Sequence, residues 1–114
     1  MMQPEVLQQQ VSDATHASLQ LHLPAELFWF RGHFPQHSIL PGVTQLNWVM
    51  QYARQLLAIE AGFKGIEVVK FQQPLLPGQR VLLQLEWQPE RHKLLFSYRV
   101  GEATASSGKI SLCQ

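Results

Sequence analysis

The 114-residue sequence predicts an α+β domain in which an antiparallel β-sheet wraps one long central α-helix. Three observations carry this expectation. The run from Val43 to Ala61 contains no Gly or Pro and stops at Gly62, which meets the start and stop rules for a helix. One segment before that run and four after it alternate apolar and polar residues, the period of a half-buried strand. The connections between the later segments are short and contain Pro or Gly, so neighbouring strands are antiparallel.

Residues 1–12 are polar and Gln-rich, without an apolar period, and are expected to form a flexible leader or a short edge element. From Thr15 to Leu23 the chain sets Ala17, Leu19, Leu21 and Leu23 on one face and His16, Ser18, Gln20 and His22 on the other. Pro24-Ala25-Glu26 ends this strand, and the aromatic run Leu27 to Phe30 follows. On the helix, Leu46, Trp48, Val49, Met50, Tyr52, Ala53, Leu56, Leu57 and Ile59 cover an arc of about 200°, so the helix is wrapped rather than laid on a surface. Thr44, Asn47, Gln51, Arg54 and Gln55 form the remaining polar stripe. The later strands are expected over Gly65–Gln73, Arg80–Gln88, His92–Val100 and Ala103–Leu112, with turns at Pro77-Gly78, Pro89-Glu90-Arg91 and Gly101-Glu102.

Composition bounds the class. A chain of this length fits a single domain over 1–114, large enough for a core and small enough to gain from oligomerisation. Apolar residues make up 46% and charged residues 15%, and a net charge of +1 offers no field for nucleic acid. The lone Cys113 cannot form an internal disulfide, and Met1-Met2-Gln3-Pro4-Glu5 lacks the basic and apolar parts of a signal peptide, so a cytoplasmic location is expected. No apolar run approaches the ~20 residues of a spanning helix, so membrane insertion is not expected. Serine-hydrolase, phosphate-loop and Cys-x-x-Cys motifs are absent. His33 and His37 are four apart, but Pro35 separates them and no Cys or carboxylate cluster accompanies them, so no metal is expected.

The chemistry concentrates in Phe30-Arg31-Gly32-His33-Phe34-Pro35 and, six residues on, Pro41-Gly42-Val43. Pro35 and Pro41 fix φ and remove donors, which makes the intervening segment a stiff loop able to hold the His33 imidazole in one orientation. An imidazole suits proton transfer because its pKa lies near working pH. At Gly42 and Val43 the free N–H groups of the first helical turn point outward with the positive end of the helix dipole, where a developing oxyanion is stabilised.

These residues resemble a known family. Gly-His-Phe-Pro, a short spacer, Leu-Pro-Gly-Val and a helix carrying Asn47 and Gln51 are similar to the 3-hydroxyacyl-acyl carrier protein dehydratases of the hotdog fold. Val69-Lys70-Phe71-Gln72-Gln73-Pro74-Leu75-Leu76-Pro77-Gly78 resembles the family's second signature, a strand running into a Pro-Gly turn, and together the motifs span roughly residues 15–113. The wording Leu-Pro-Gly-Val-Thr-Gln-Leu-Asn-Trp is closest to the small dehydratase-like proteins of aryl-polyene lipid clusters.

The resemblance implies elimination of water from a 3-hydroxyacyl thioester in fatty-acid or aryl-polyene biosynthesis. The substrate would be carried on the phosphopantetheine of an acyl carrier protein, and no other cofactor is implied. His33 would be the base that takes the C2 proton, and the Gly42 and Val43 amides would bind the thioester carbonyl. Phe34, Leu40 and Trp48 would line the acyl channel, and Lys70, Arg80, Arg91 and Lys93 could meet an acidic carrier. Family sites are built across a dimer interface, which implies a homodimer or a higher even oligomer. Two departures stand out. Asn47 lies fourteen residues after His33, where the family has Asp or Glu, and a carboxamide cannot exchange a proton there. Gln51 matches the family glutamine that supports the acid, so the amide pair would position a hydroxyl or water. Ser38 stands where the resembling loops commonly carry Pro. Two alternatives remain open at this point, a hotdog acyl thioesterase and a non-catalytic acyl-binding or partner subunit.

Overall fold

The computed structural model describes residues 1–31 and 38–113, and in it the alternating segments become strands whose apolar face is closed by the helix. The order is β1 (Glu5–Asp13), β2 (His16–His22), a 3-10 turn (Phe28–Phe30), α1 (Gly42–Leu57), β3 (Phe63–Phe71), β4 (Arg80–Gln88), β5 (Lys93–Val100) and β6 (Ala103–Leu112). All six strands form one sheet, β1-β2-β4-β5-β6-β3, antiparallel at every pairing. The helix separates β2 from β3 in the chain, and the sheet separates them in space by three strands. This is the hotdog arrangement the resemblance implies.

The core follows the alternation. Ala17, Leu19 and Leu21 of β2, Val81, Leu83 and Leu85 of β4, and Leu94, Phe96 and Tyr98 of β5 are all buried. Against them pack Trp48, Val49, Tyr52, Ala53 and Leu57 of α1. Each aliphatic side chain so buried contributes about 1.5–3 kcal/mol of hydrophobic free energy before entropy is counted. Sheet packing is tight at Gly108, where an added Cβ would stand 2.6 Å from the Val68 carbonyl oxygen and 2.7 Å from the Phe96 ring.

Four expectations are corrected here. Of the two readings of the N-terminal segment, leader or short edge element, the structure shows the edge element, a nine-residue strand, so the sheet has six strands rather than five. Its residues are exposed on both faces, which is why no apolar period marks them; the ladder to β2, from Glu5 opposite His22 to Asp13 opposite His16, holds it. The turn that closes this hairpin is built by Asp13, whose Oδ1 accepts from the Thr15 N–H and hydroxyl at 2.8 Å each. The helix ends at Leu57 rather than Ala61, because Ala58 takes a left-handed conformation (φ 52, ψ 34) and the chain turns so that Ile59 enters the core. Thr44 is buried at the helix start rather than on the solvent stripe, and Trp48 is a core residue rather than a wall of the pocket described below.

β3 is the other sheet edge and carries no buried residue. Phe63, Ile66, Val68 and Phe71 expose 44–52% of their surface along it. Among the described residues no helix is long and apolar enough to cross a membrane.

Candidate active site

The local structure at the helix start follows from its sequence. Pro41, in extended conformation, is the N-cap, and among the described residues no side chain caps the helix. The first helical hydrogen bond runs from the Gln45 N–H to the Pro41 carbonyl at 3.1 Å, so the N–H groups of Gly42, Val43 and Thr44 have no acceptor within the helix. Gly42 and Val43 line a pocket of about 610 Å³ whose other walls are Ile39, Leu40, Pro41, Phe71, Gln72, Gln73 and Pro74, with Gln45 at its base. A mostly apolar pocket lined at a helix N-terminus by residues whose N–H groups have no acceptor within the helix suits an acyl group bearing a carbonyl that gains negative charge.

The second signature is held beside it by a bulge. The β5–β6 pairing passes from Tyr98 opposite Ser106 to Arg99 opposite Thr104, which leaves Ala105 out of register. Its carbonyl oxygen instead accepts from the N–H groups of Gln72 at 2.8 Å and Gln73 at 3.0 Å. Leu75, buried, completes the tie by accepting from the Leu40 N–H at 2.9 Å. The Leu-Pro-Gly-Val segment and the second signature therefore line the same pocket.

Beneath the pocket lies a buried polar cluster that sequence reasoning missed. Gln45 is only 3% exposed. Its Nε2 donates to the Leu40 carbonyl at 3.3 Å, and its Oε1 accepts from the Ser106 hydroxyl at 2.7 Å. The Tyr98 hydroxyl donates to the Gln45 main-chain carbonyl at 2.6 Å. Burial holds the Tyr98 phenol well above its ordinary pKa of 10, and nearby Tyr52 adds to the effect, so this hydroxyl stays a donor. A signal was available: Gln45 falls at i, i+4 and i, i+7 with Val49 and Tyr52, a polar residue on the apolar arc.

The sequence-derived site residues fall into three groups. His33 and Phe34, with Gly32, Pro35, Gln36 and His37, lie outside the described residues. Gly42 and Val43 line the pocket together with Leu40. Val43, Asn47 and Gln51 succeed one another at i, i+4 and form an outward stripe, with Val43 65% exposed and Asn47 exposed. Gln51 does not pair with Asn47; its Nε2 donates to Gln3 Oε1 at 2.9 Å, which joins the N-terminal segment to the helix. Of the basic residues, Lys93 donates to Ser111 Oγ at 2.8 Å and stands 3.7 Å from Glu67. A second cleft of about 380 Å³, between Ser12, His16 and Glu86, lies away from the helix start and contains none of the expected residues. Among the described residues no group of three His, Cys, Asp or Glu side chains could hold a metal.

The chain is similar to known proteins along most of its length. The model of the family described as ApeI-like, ApeI dehydratase, matches residues 8–109. The 3-hydroxyacyl-[acyl-carrier-protein] dehydratase FabZ of Koribacter versatilis is 34% identical over 97 residues, which cover 75% of this chain and 62% of its own length. FabZ of Myxococcus xanthus is 33% identical over 93 residues, 73% of this chain and 59% of its own length. The chain thus spans about three-fifths of these curated relatives. A chain of the dehydratase heterocomplex ApeI:P from Xenorhabdus doucetiae is 47% identical, with a TM-score of 0.94 over 99% of this chain and 100% of that one. An uncharacterized protein from Erwinia carotovora subsp. atroseptica is 45% identical, with a TM-score of 0.88 over 98% and 97% of the two chains.

Proposed function

Because this chain belongs to the ApeI-like dehydratase family, we propose that it eliminates water from a 3-hydroxyacyl chain carried as a thioester on the phosphopantetheine of an acyl carrier protein. The observation that carries the reading is the uncapped start of α1, whose Gly42 and Val43 open onto the apolar pocket. There the two amides bind the thioester carbonyl and stabilise the charge that develops on it as the C2 proton leaves. His33 takes that proton. The C2 electron pair forms the C2–C3 double bond as the C3–O bond breaks, and the imidazolium returns its proton to the departing hydroxyl, giving water and the enoyl thioester. Asn47 and Gln51 orient the hydroxyl by hydrogen bonds without exchanging a proton. Fatty-acid or aryl-polyene biosynthesis in the cytoplasm is the setting this chemistry fits.

The stripe Val43–Asn47–Gln51 faces outward, and the β3 edge exposes unpaired backbone with apolar side chains. Both features support a shared site in which the stripe of one chain completes the pocket of another. A homodimer supplies this directly. The ApeI:P structure is a heterocomplex, so a chain of a different sequence is the second candidate for that edge. Light scattering of the pure chain should give about twice 13.0 kDa, and a strictly monomeric mass with full activity would remove the shared site.

Mass analysis of a 3-hydroxyacyl carrier incubated with the protein tests the reaction. Loss of one water without release of free thiol supports dehydration. Free thiol would indicate a thioesterase, and acyl binding without turnover would indicate a binding subunit, a reading that the missing carboxylate at Asn47 favours.

A further inference from the structure

We infer that Gln45 is a positioning residue of the site, holding the turn into α1 so that the Gly42 and Val43 amides face the pocket; the inference rests on the dehydration proposed above. A primary amide buried among apolar side chains is unfavourable unless its donor and acceptor are both partnered, and here both are. The partners fix its orientation. The Leu40 carbonyl can only accept, so Nε2 must face it, and Oε1 therefore meets Ser106, whose hydroxyl donates.

The consequence lies one peptide further on. Leu40 is held on both sides, its N–H by the Leu75 carbonyl and its carbonyl by Gln45. Pro41 has a ring-locked φ of −61, so with Leu40 fixed little freedom remains in the peptide plane that carries the Gly42 N–H. From below, the Tyr98 hydroxyl fixes the same helical turn through the Gln45 carbonyl. Strand β6 through the Gln45 side chain, β5 through the Gln45 main-chain carbonyl and the Leu75 segment through the Leu40 N–H thus converge on the carbonyl anchor. Donors to an oxyanion act only when placed within about 0.5 Å of the productive geometry, so a residue that sets this turn affects turnover without touching the reacting atoms.

Two variants test the role. Gln45→Met keeps the volume and removes both side-chain hydrogen bonds; kcat should fall at least about tenfold while KM for the acyl thioester changes by less than about threefold. In Gln45→Glu a protonated carboxyl can donate to Leu40 and accept from Ser106, whereas the ionised form cannot donate. Its kcat relative to the unsubstituted protein should therefore rise as pH falls from about 8 to about 5. Unchanged kcat in Gln45→Met, or a flat ratio across that range in Gln45→Glu, overturns the inference. If the unsubstituted protein performs no dehydration, the proposed reaction fails separately. The Gly42 and Val43 amide resonances in Gln45→Met then decide the positioning role, moving if Gln45 holds the turn and staying if it does not.

Discussion

A methyl group built on Gly42 would stand 2.7 Å from the Cζ atom of Phe71, so the ring that ends β3 lies directly over the first residue of α1. Only glycine admits that approach. Phe71 is 52% exposed, and its ring has room to swing away. Gly42→Ala should therefore fold, with a cost near 1 kcal/mol, but with the ring displaced from the pocket wall. Turnover of a 3-hydroxyacyl thioester should drop by about tenfold or more. Phe71→Ala removes the same wall by itself, so Gly42→Ala added to it should cost little more, and a double-mutant cycle of kcat/KM values measures that coupling.

Gly108 gives the contrasting case. The group an added Cβ would meet is the Val68 backbone carbonyl at 2.6 Å, which cannot swing aside. Gly108→Ala should destabilise the fold by about 1–3 kcal/mol, measured by denaturant unfolding. Activity per folded molecule should stay near that of the unsubstituted protein, since β6 is distorted away from the pocket.

Asn47 is exposed on the helix, so a carboxylate there carries no burial cost within the chain. Asn47→Asp or Asn47→Glu should leave the melting temperature within about 2 °C, as surface substitutions usually do. Dehydration should rise by at least about tenfold, because a positioned general acid contributes about 10² to 10⁴ in rate. No gain in rate would mean that this position does not meet the leaving hydroxyl.

The β1–β2 hairpin should confer a pH dependence of stability. Hydrogen bonds from the Thr15 N–H and hydroxyl, then from His16, lower the Asp13 pKa from 3.8 to about 2. A depressed carboxylate stabilises the fold above its unfolded pKa and loses that contribution as pH falls through the folded one. Asp13→Asn should therefore be less stable than the unsubstituted protein at pH 7, and the difference should vanish between about pH 4 and pH 2. Thermal melts of both proteins across this range measure it.

What was legible in the sequence was whatever one-sided burial had imprinted. β2, β4 and β5 each bury one face and leave the other at least partly open to solvent, so Leu19, Leu83 and Phe96 mark their strands by alternation alone. β1 buries neither face and leaves no such mark; hydrogen bonds to β2 create it. The helix end carries no mark in the sequence because Ala58 adopts a left-handed conformation usually left to Gly, the turn by which Ile59 reaches the core. At the site, Gly42 and Val43 could be read because Pro41-Gly42 announces a helix start. Gln45 could not be assigned from its type alone, since its partners Ser106 and Tyr98 lie more than fifty residues away.

The most direct measurement is the dehydration rate of a 3-hydroxyacyl carrier with the unsubstituted protein and with His33→Ala, at matched oligomeric state and melting temperature. The account predicts that the unsubstituted protein forms the enoyl thioester without free thiol and that His33→Ala abolishes this while remaining folded. Full activity in His33→Ala would contradict it.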